Sequence, residues 1–244
     1  MNEKHIYEVI RFEKGVALFA EEHLQRLYDS AKQCNININF RIDDIYKKYY
    51  DAKLDNTIIT NLKIDVYAYG INMSFQEPIK TSKDMYKCGV SVKTVSCERK
   101  NPNIKSSEQS YYSRLRDNFT ENDIFEFILY DNDILKEGTR SNFFGVKKNI
   151  IYTQNNQAVL MGVTRKIILQ LANSFKIPVK FEDIYLKNIN EMDGFFITGT
   201  SIGVLPIKKI DHFTFLSSQN ETIIKLQNEY NNYVLNYIYQ HRKN

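Results

Sequence analysis

The feature that most constrains the fold is an early change of hydrophobic period. Residues Ile6 to Phe12 and Val16 to Phe19 read as two strands turned at Glu13-Lys14-Gly15. Directly after them, from about Glu21 to Gln33, Leu24, Leu27, Tyr28 and Ala31 recur at the i, i+3, i+4, i+7 spacing of a helix with one apolar stripe. A hairpin followed by such a helix buries its apolar surface by laying the stripe on the sheet, which makes the chain α/β from its start.

The alternation continues. A second helix is expected over Asp43 to Ala52, then strands over Leu62 to Ala68 and Gly89 to Ser96, with Val90, Val92 and Val95 alternating against polar residues. A charged, extended piece, CERKNPNIK, ends that half. Beyond it come a helix over Ser107 to Phe119 and strands over Phe125 to Tyr130, Ser141 to Val146 and Ile150 to Thr153. Thr164 to Phe175 forms an amphipathic helix with Ile167, Ile168, Leu171, Ala172 and Phe175 inward. Strands over Phe195 to Thr198 and Val204 to Ile210 and a helix over Glu221 to Tyr239 close the chain. There is no repeat and no flexible linker. The 244 residues are therefore expected to form two packed α/β lobes.

Composition removes several function classes. Hydrophobic residues make up 43% and charged residues 25%, enough for an ordinary folded core. The net charge is +4 with Lys and Arg dispersed, and pairs such as Arg99-Lys100 and Lys147-Lys148 read as solvated turn residues. Nucleic-acid binding calls for a concentrated basic stripe, so that partner is not expected. The three cysteines show no CxxC spacing and the four histidines are far apart, so no metal site is expected. MNEKHIYEVIRF lacks the apolar core of a signal peptide and no run approaches a membrane span, which points to a cytoplasmic protein.

Some short stretches could carry chemistry, although each has an ordinary reading as well. In ILKEGTRSNFFGVKKNIIY, Glu137 is by itself a hairpin-turn acid. In MGVTRKIILQ, Thr164 at a helix start is by itself a cap, yet free N–H groups and a hydroxyl there also make an anion site. In FFITGTSIGVLPIKK, Thr198, Gly199, Thr200 and Ser201 form a small-residue loop whose backbone can approach a phosphate; it does not follow GxGxxG. Arg26 lies off its helix's apolar stripe, as a solvated residue or as a phosphate clamp. Lys105, next to Pro102 in NPNIKSSEQS, is a surface charge or a nucleophilic amine. One ligand needs all of them. Pyridoxal 5′-phosphate takes an amine for its Schiff base, a cup for its phosphate and a carboxylate at its ring nitrogen.

Taken together, these stretches resemble the class IV aminotransferases, the fold-type IV pyridoxal-phosphate enzymes. That family includes D-amino acid aminotransferase, branched-chain aminotransferase and aminodeoxychorismate lyase. The resemblance runs through YEVIRF, EEHLQRLYDSA, NIKSS, KEGTRSNFFGV, GVTR and TGTSIGVLPI, and the separation 137 − 105 = 32 suits it. It implies that Lys105 forms the Schiff base and shuttles the proton, and that Glu137 pairs with the pyridine nitrogen. It also implies that Arg26, in H-x-x-R-L, holds the phosphate with Val163, Thr164, Gly199 and Thr200, and that Tyr7 and Ser201 line the substrate pocket. The implied fold is a small α/β lobe, residues 1–104, and a larger pseudo-barrel lobe, residues 105–244, with a homodimer completing the pocket.

Two departures bear on activity. The family has a strand and a glycine-rich approach before the YEVIR segment, where this chain has only a few residues, so one pocket wall is expected to differ. KIDVYAYGINMSFQEP lacks the Arg-x-His pair by which D-amino acid aminotransferase holds a substrate carboxylate. An amino-acid transaminase is the leading expectation. An aminodeoxychorismate lyase is the alternative, and a cofactor-binding protein without turnover ranks last because lysine, acid and cup are all retained.

Overall fold

The structure, a computed structural model, describes residues 5–107, 115 and 123–242. The helix expected over 107–119 thus falls outside the described residues, apart from its first residue and the helical Leu115. The chain forms two compact units. The first comprises Met1–Lys80, Ile104–Gln109 and Asn232–Asn244, the second Thr81–Asn103 and Ser110–Asn231.

In the first unit, β1 (Ile6–Glu13), β2 (Val16–Ala17), α1 (Ala20–Gln33), α2 (Ile42–Asp51), β3 (Thr60–Tyr67) and β4 (Gly70–Gln76) follow in order. The sheet is antiparallel with strand order β2-β1-β3-β4. The expected hairpin turn is present: Lys14 and Gly15 both have positive φ, 51° and 78°, the backbone that matches strand twist in a tight hairpin. Along β1, Ile6, Glu8, Ile10 and Phe12 are buried, while Tyr7, Val9, Arg11 and Glu13 are half-buried. Leu24, Leu27 and Ala31 of α1 and Ile45 and Tyr49 of α2 pack with Ile6, Ile10 and Phe12 in one cluster, and the Phe12 and Tyr49 rings stack at 4.4 Å. Full burial of a Leu, Ile or Phe side chain among them contributes roughly 1.5–3 kcal/mol. Tyr28 corrects the expected stripe. It is 37% exposed, because its hydroxyl donates to the Phe40 carbonyl at the helix edge. β4 carries no expectation above, although its Ile71, Met73 and Phe75 alternate with Asn72, Ser74 and Gln76 and pack half-buried against the same cluster.

A short segment joins this sheet from far along the chain. The Tyr7 N–H donates to the Lys105 carbonyl at 3.0 Å, the Ser107 N–H donates to the His5 carbonyl at 2.8 Å, and Ile6 and Ser106 form an antiparallel bridge. Backbone pairing therefore places Lys105 beside Tyr7.

The second unit contains α3 (Lys83–Cys88), β5 (Val90–Ser96), β6 (Ile124–Asp131), β7 (Ile134–Gly138), β8 (Asn142–Lys147), β9 (Ile150–Thr153), α4 (Val163–Ser174), β10 (Val179–Phe181), β11 (Ile184–Tyr185), β12 (Gly194–Gly199), β13 (Gly203–Ile210) and β14 (Phe213–Thr214). The last helix, α5 (Glu221–His241), begins here, and its residues from Asn232 count with the first unit. Strands run in the order β8-β12-β13-β5-β6-β7, and a β8–β7 pairing closes them into a six-stranded barrel; β9, β10, β11 and β14 extend the sheet outside it. NFFGVK of β8 and GFFITG of β12 are buried on both faces and read as continuous apolar runs. Their rings stack in pairs, Phe143 on Phe195 at 5.2 Å and Phe144 on Phe196 at 4.8 Å. Phe175, expected inward, is 37% exposed, since α4 ends one residue earlier; the Lys225 ammonium lies over its ring. A small α/β sheet unit and a larger barrel unit make up the expected fold class.

Candidate active site

In the first unit Lys105 lies against Tyr7, while Arg26 lies against Glu8, the next residue of β1. Lys105 is half-buried with its Nζ 4.6 Å from the centre of the Tyr7 ring, and the Lys63 Nζ lies over the same ring at 5.4 Å. Arg26 is not a solvated helix residue. Its side chain is 12% exposed and grips Glu8, with Nε donating to Oε1 at 2.6 Å and Nη2 to Oε2 at 2.7 Å. Glu8 Oε2 also meets His23 Nδ1 at 2.8 Å. Burial by itself would raise the Glu8 pKa; the Arg26 charge and the hydrogen bonds from His23 and Arg26 outweigh it and hold the carboxyl well below its usual range. Burial lowers the His23 pKa, and the charges of Arg26 and Lys105 add to that against the opposing effect of Glu8. A neutral His23 facing an acceptor-only carboxylate carries its hydrogen on Nδ1.

The second unit assembles the other expected residues around a polar row. Glu137 is two strands from Thr198 by direct register: Glu137 opposes Asn142, and Asn142 opposes Thr198. These three are 2%, 5% and 1% exposed. Glu137 Oε2 accepts from the Leu160 N–H at 3.0 Å, and Oε1 pairs with the Arg99 guanidinium. Arg99 is thus no solvated turn residue; its side chain is 14% exposed, because the extended piece that carries it runs past the buried acid. Asn142 Nδ2 donates to the Leu160 carbonyl at 2.7 Å, and a Cβ on Gly162 would clash with Asn142 Oδ1. Gly162, not Thr164, is the N-cap of α4, so Val163 and Thr164 open the helix with their N–H groups directed out of its first turn. Gly199 ends β12, and Thr200 and Ser201 follow in a turn closed by the Ile202 N–H on the Gly199 carbonyl at 3.1 Å. A Cβ on Gly199 would lie 3.6 Å from the Arg140 carbonyl, which ties this turn to the one after Glu137.

Some supporting residues carry no sequence expectation. Arg165 is fully buried, with Nη1 donating to Thr153 Oγ1 and Nη2 to the Gln154 carbonyl, both at 2.6 Å. Burial lowers its pKa to about 10, against the raising effect of the Glu137 charge. Glu126, 1% exposed, accepts from the Arg140 N–H and the Thr139 hydroxyl in the turn after Glu137, and burial raises its pKa. Gly138 is required there, since a Cβ would clash with Ser141 Oγ and come within 2.7 Å of Glu126 Oε1. Glu8 had a readable signal: an acid in the period-2 buried series Ile6, Glu8, Ile10, Phe12 has to find a partner. His23 and Arg26, three apart on α1, are the pair that one helix face offers it.

The donors present suit pyridoxal phosphate in each unit. The first offers an amine beside an aromatic ring and a guanidinium anchored by a carboxylate. The second offers a buried carboxylate, a glycine-led helix start and a glycine-hydroxyl turn. Thr198 Oγ1, buried next to that turn, has no hydrogen-bond partner among the described residues. No cluster of His, Cys, Asp and Glu able to hold a metal occurs among the described residues, and none of their helices is long and apolar enough to cross a membrane.

Comparison with known proteins agrees with this chemistry. Residues 5–210 match the family described as Amino-transferase class IV. A Methanocaldococcus jannaschii protein named as a provisional branched-chain-amino-acid aminotransferase is 30% identical over 231 residues, covering 84% of this chain and 78% of that protein. A D-alanine aminotransferase of Bacillus licheniformis is 29% identical over 223 residues, with the same coverage of 84% and 78%. Among solved structures, the branched-chain amino acid aminotransferase of Escherichia coli superposes with a TM-score of 0.80 at 18% identity, covering 95% of this chain and 86% of that one.

Proposed function

This chain belongs to the class IV aminotransferases, and from that premise we propose that it is a pyridoxal-phosphate-dependent aminotransferase moving an amino group between an amino acid and a 2-oxo acid. The observation that carries the proposal is Lys105, a lysine that strand pairing holds beside β1 with its amine over the Tyr7 ring. When bound, the cofactor supplies an electron sink for the charge left by removal of a substrate α-proton.

Each expected site residue then has a defined task. Lys105 would hold the cofactor through its amine and, with that amine released, would move the proton at the substrate Cα. Glu137, whose oxygens are fixed by the Leu160 N–H and Arg99, keeps a proton on the ring nitrogen. Arg26, the N–H groups of Val163 and Thr164, and the Gly199-Thr200 turn hold the phosphate. Tyr7 and Ser201 line the substrate pocket. The reading includes a cytoplasmic homodimer, as the family resemblance implies.

The test is spectroscopic. Purified protein titrated with pyridoxal phosphate should develop the visible band of the lysine-bound cofactor, and Lys105→Ala should abolish it. An unchanged band in the variant would overturn the assignment. Amino donors supplied singly should convert the band to the pyridoxamine form. If none does, while aminodeoxychorismate is consumed, the protein is the lyase of the same family instead.

A further inference from the structure

Tyr86 has no task in that chemistry, yet its hydroxyl donates at 2.9 Å to the carbonyl of Ile202, 116 residues further on. It stands on α3, a helix of six residues whose N-cap Ser82 accepts from the Met85 N–H and none of whose side chains is fully buried. Directly after α3 the chain turns into β5 at Gly89, with φ of 79°. A Cβ on Gly89 would lie 2.8 Å from the Lys208 backbone nitrogen, and the next residue, Val90, pairs with Ile207 of β13. This close approach carries α3 alongside β13, with the Tyr86 side chain half-buried. The Thr81 hydroxyl lies 3.3 Å from that of Tyr86 and donates to it, since the one tyrosine hydrogen goes to the shorter Ile202 contact.

The carbonyl that Tyr86 holds belongs to the turn Gly199–Ile202. That turn is closed by the Ile202 N–H on the Gly199 carbonyl, so it does not use the N–H of Thr200. Where this N–H and the Thr200 hydroxyl point depends on the peptide planes of the turn. Strand pairing sets them at the entry, where Thr198 opposes both Asn142 and Val204. At the exit stands Gly203, with a φ of 59° and no Cβ to limit rotation. The Ile202 carbonyl just ahead of it is therefore the place where one outside hydrogen bond has most leverage.

We infer that Tyr86 is a positioning residue that fixes the Gly199–Ile202 turn so that Thr200 meets a phosphate monoester. The inference rests on the reading of the Gly199-Thr200 turn as a phosphate ligand. It goes beyond that reading by making the grip of the turn depend on a hydroxyl of α3 that acts through the Ile202 carbonyl.

Binding of pyridoxal 5′-phosphate, and of pyridoxal, which lacks the phosphate, is measured on the full chain. Tyr86→Phe keeps the ring and removes only the hydroxyl. It should weaken the phosphorylated ligand by about threefold or more, the scale of one lost hydrogen bond, and leave pyridoxal within about twofold. The melting temperature without ligand should stay near that of wild type. A loss below about threefold makes Tyr86 irrelevant to the phosphate and overturns the inference. An equal loss of both ligands makes it a merely structural residue and overturns the inference as well. Should Tyr86→Phe not fold, Tyr86→Met, which fills the space with a flexible apolar chain, is judged by the same criteria. Thr200→Asp separates the two levels, because a carboxylate in the turn repels a phosphate. If it leaves phosphate-dependent binding intact, the phosphate reading of the turn falls and the inference with it. If it abolishes that binding while Tyr86→Phe leaves it unchanged, the inference alone falls.

Discussion

Each unit contains a buried arginine–carboxylate pair, and the two pairs are close in burial. Glu8 and Glu137 are 1% and 2% exposed, while the Arg26 and Arg99 side chains are 12% and 14% exposed. What differs is the second donor to each acid. Glu8 receives it from His23, a side chain on the same helix as the arginine, and the Val9 N–H adds a longer contact to Oε2 at 3.3 Å. Glu137 receives it from the backbone N–H of Leu160, ahead of α4, and sits in a polar row with Asn142 and Thr198. On the proposed reading the acid supports in the first pair and the arginine meets the ligand, while in the second the acid meets it and the arginine supports. Burial alone cannot separate two such roles.

The largest expected effect breaks the second pair. Glu137→Gln should retain the cofactor and lower kcat/KM by roughly 100-fold or more, the scale seen when a charge-stabilising group is removed from an active site. Near-normal turnover would contradict its role at the ring nitrogen.

Arg165 sharpens the contrast as a buried guanidinium that donates to neutral groups: Thr153, the Gln154 carbonyl and Asn156. Arg165→Met should destabilise the fold by roughly 2–4 kcal/mol in denaturant unfolding, since several buried acceptors lose their donor together. A cost below ~1 kcal/mol would show that the site relaxes around the loss.

Acid should act on the first pair. Glu8 and His23 both hold protons less tightly in the folded protein than in the unfolded chain. The unfolded state therefore takes up more protons as pH falls, and stability falls with it. The His23 part is complete above its ordinary value of 6.5 and is lost below it; the Glu8 part is lost only below 4.5. Thermal melts should show Tm declining between pH 7 and pH 5, and His23→Asn should flatten that decline. An unchanged slope would mean that His23 takes up its proton without cost.

The smallest effect concerns Glu126, whose pKa is shifted the other way. A carboxyl that holds its proton more tightly when folded contributes stability below its ordinary 4.5, and this is lost as pH rises through the folded value. Glu126→Gln keeps an oxygen for the Arg140 N–H and the Thr139 hydroxyl without the charge. It should leave stability at pH 8 unchanged or raised by less than about 1 kcal/mol. A clear loss at pH 8 would show that the charge itself holds the turn after Glu137.

Much of the architecture was readable in the pattern of apolar residues. The hairpin at Glu13-Lys14-Gly15, α1, α2 and the long strands of the second unit occur within a few residues of where their periods place them. β4 also alternates, Ile71, Met73 and Phe75 against Asn72, Ser74 and Gln76, so its period was legible too; only its pairing with β3 lies beyond the sequence. Tyr28 and Phe175 show the limit of a stripe, which ignores a hydroxyl's need for a partner and the point at which a helix stops. The candidate residues were picked out by motif, but their surroundings were not. Arg99 read as solvated, and it is the ion-pair partner of the very acid the motif singled out.

The sequence by itself determined the order and type of most elements and which residues are candidates for amine, acid and phosphate-binding chemistry. Periodicity and motif spacing are local properties of a chain, so they can be read along it. Only the tertiary structure decided which charges are buried and what each one faces. Glu8 meets Arg26 from 18 residues away, Glu137 meets Arg99 from 38, and one β7–β8 pairing closes six strands into a barrel. Desolvation and Coulomb attraction depend on neighbours in space, and those neighbours exist only once the strands are in register.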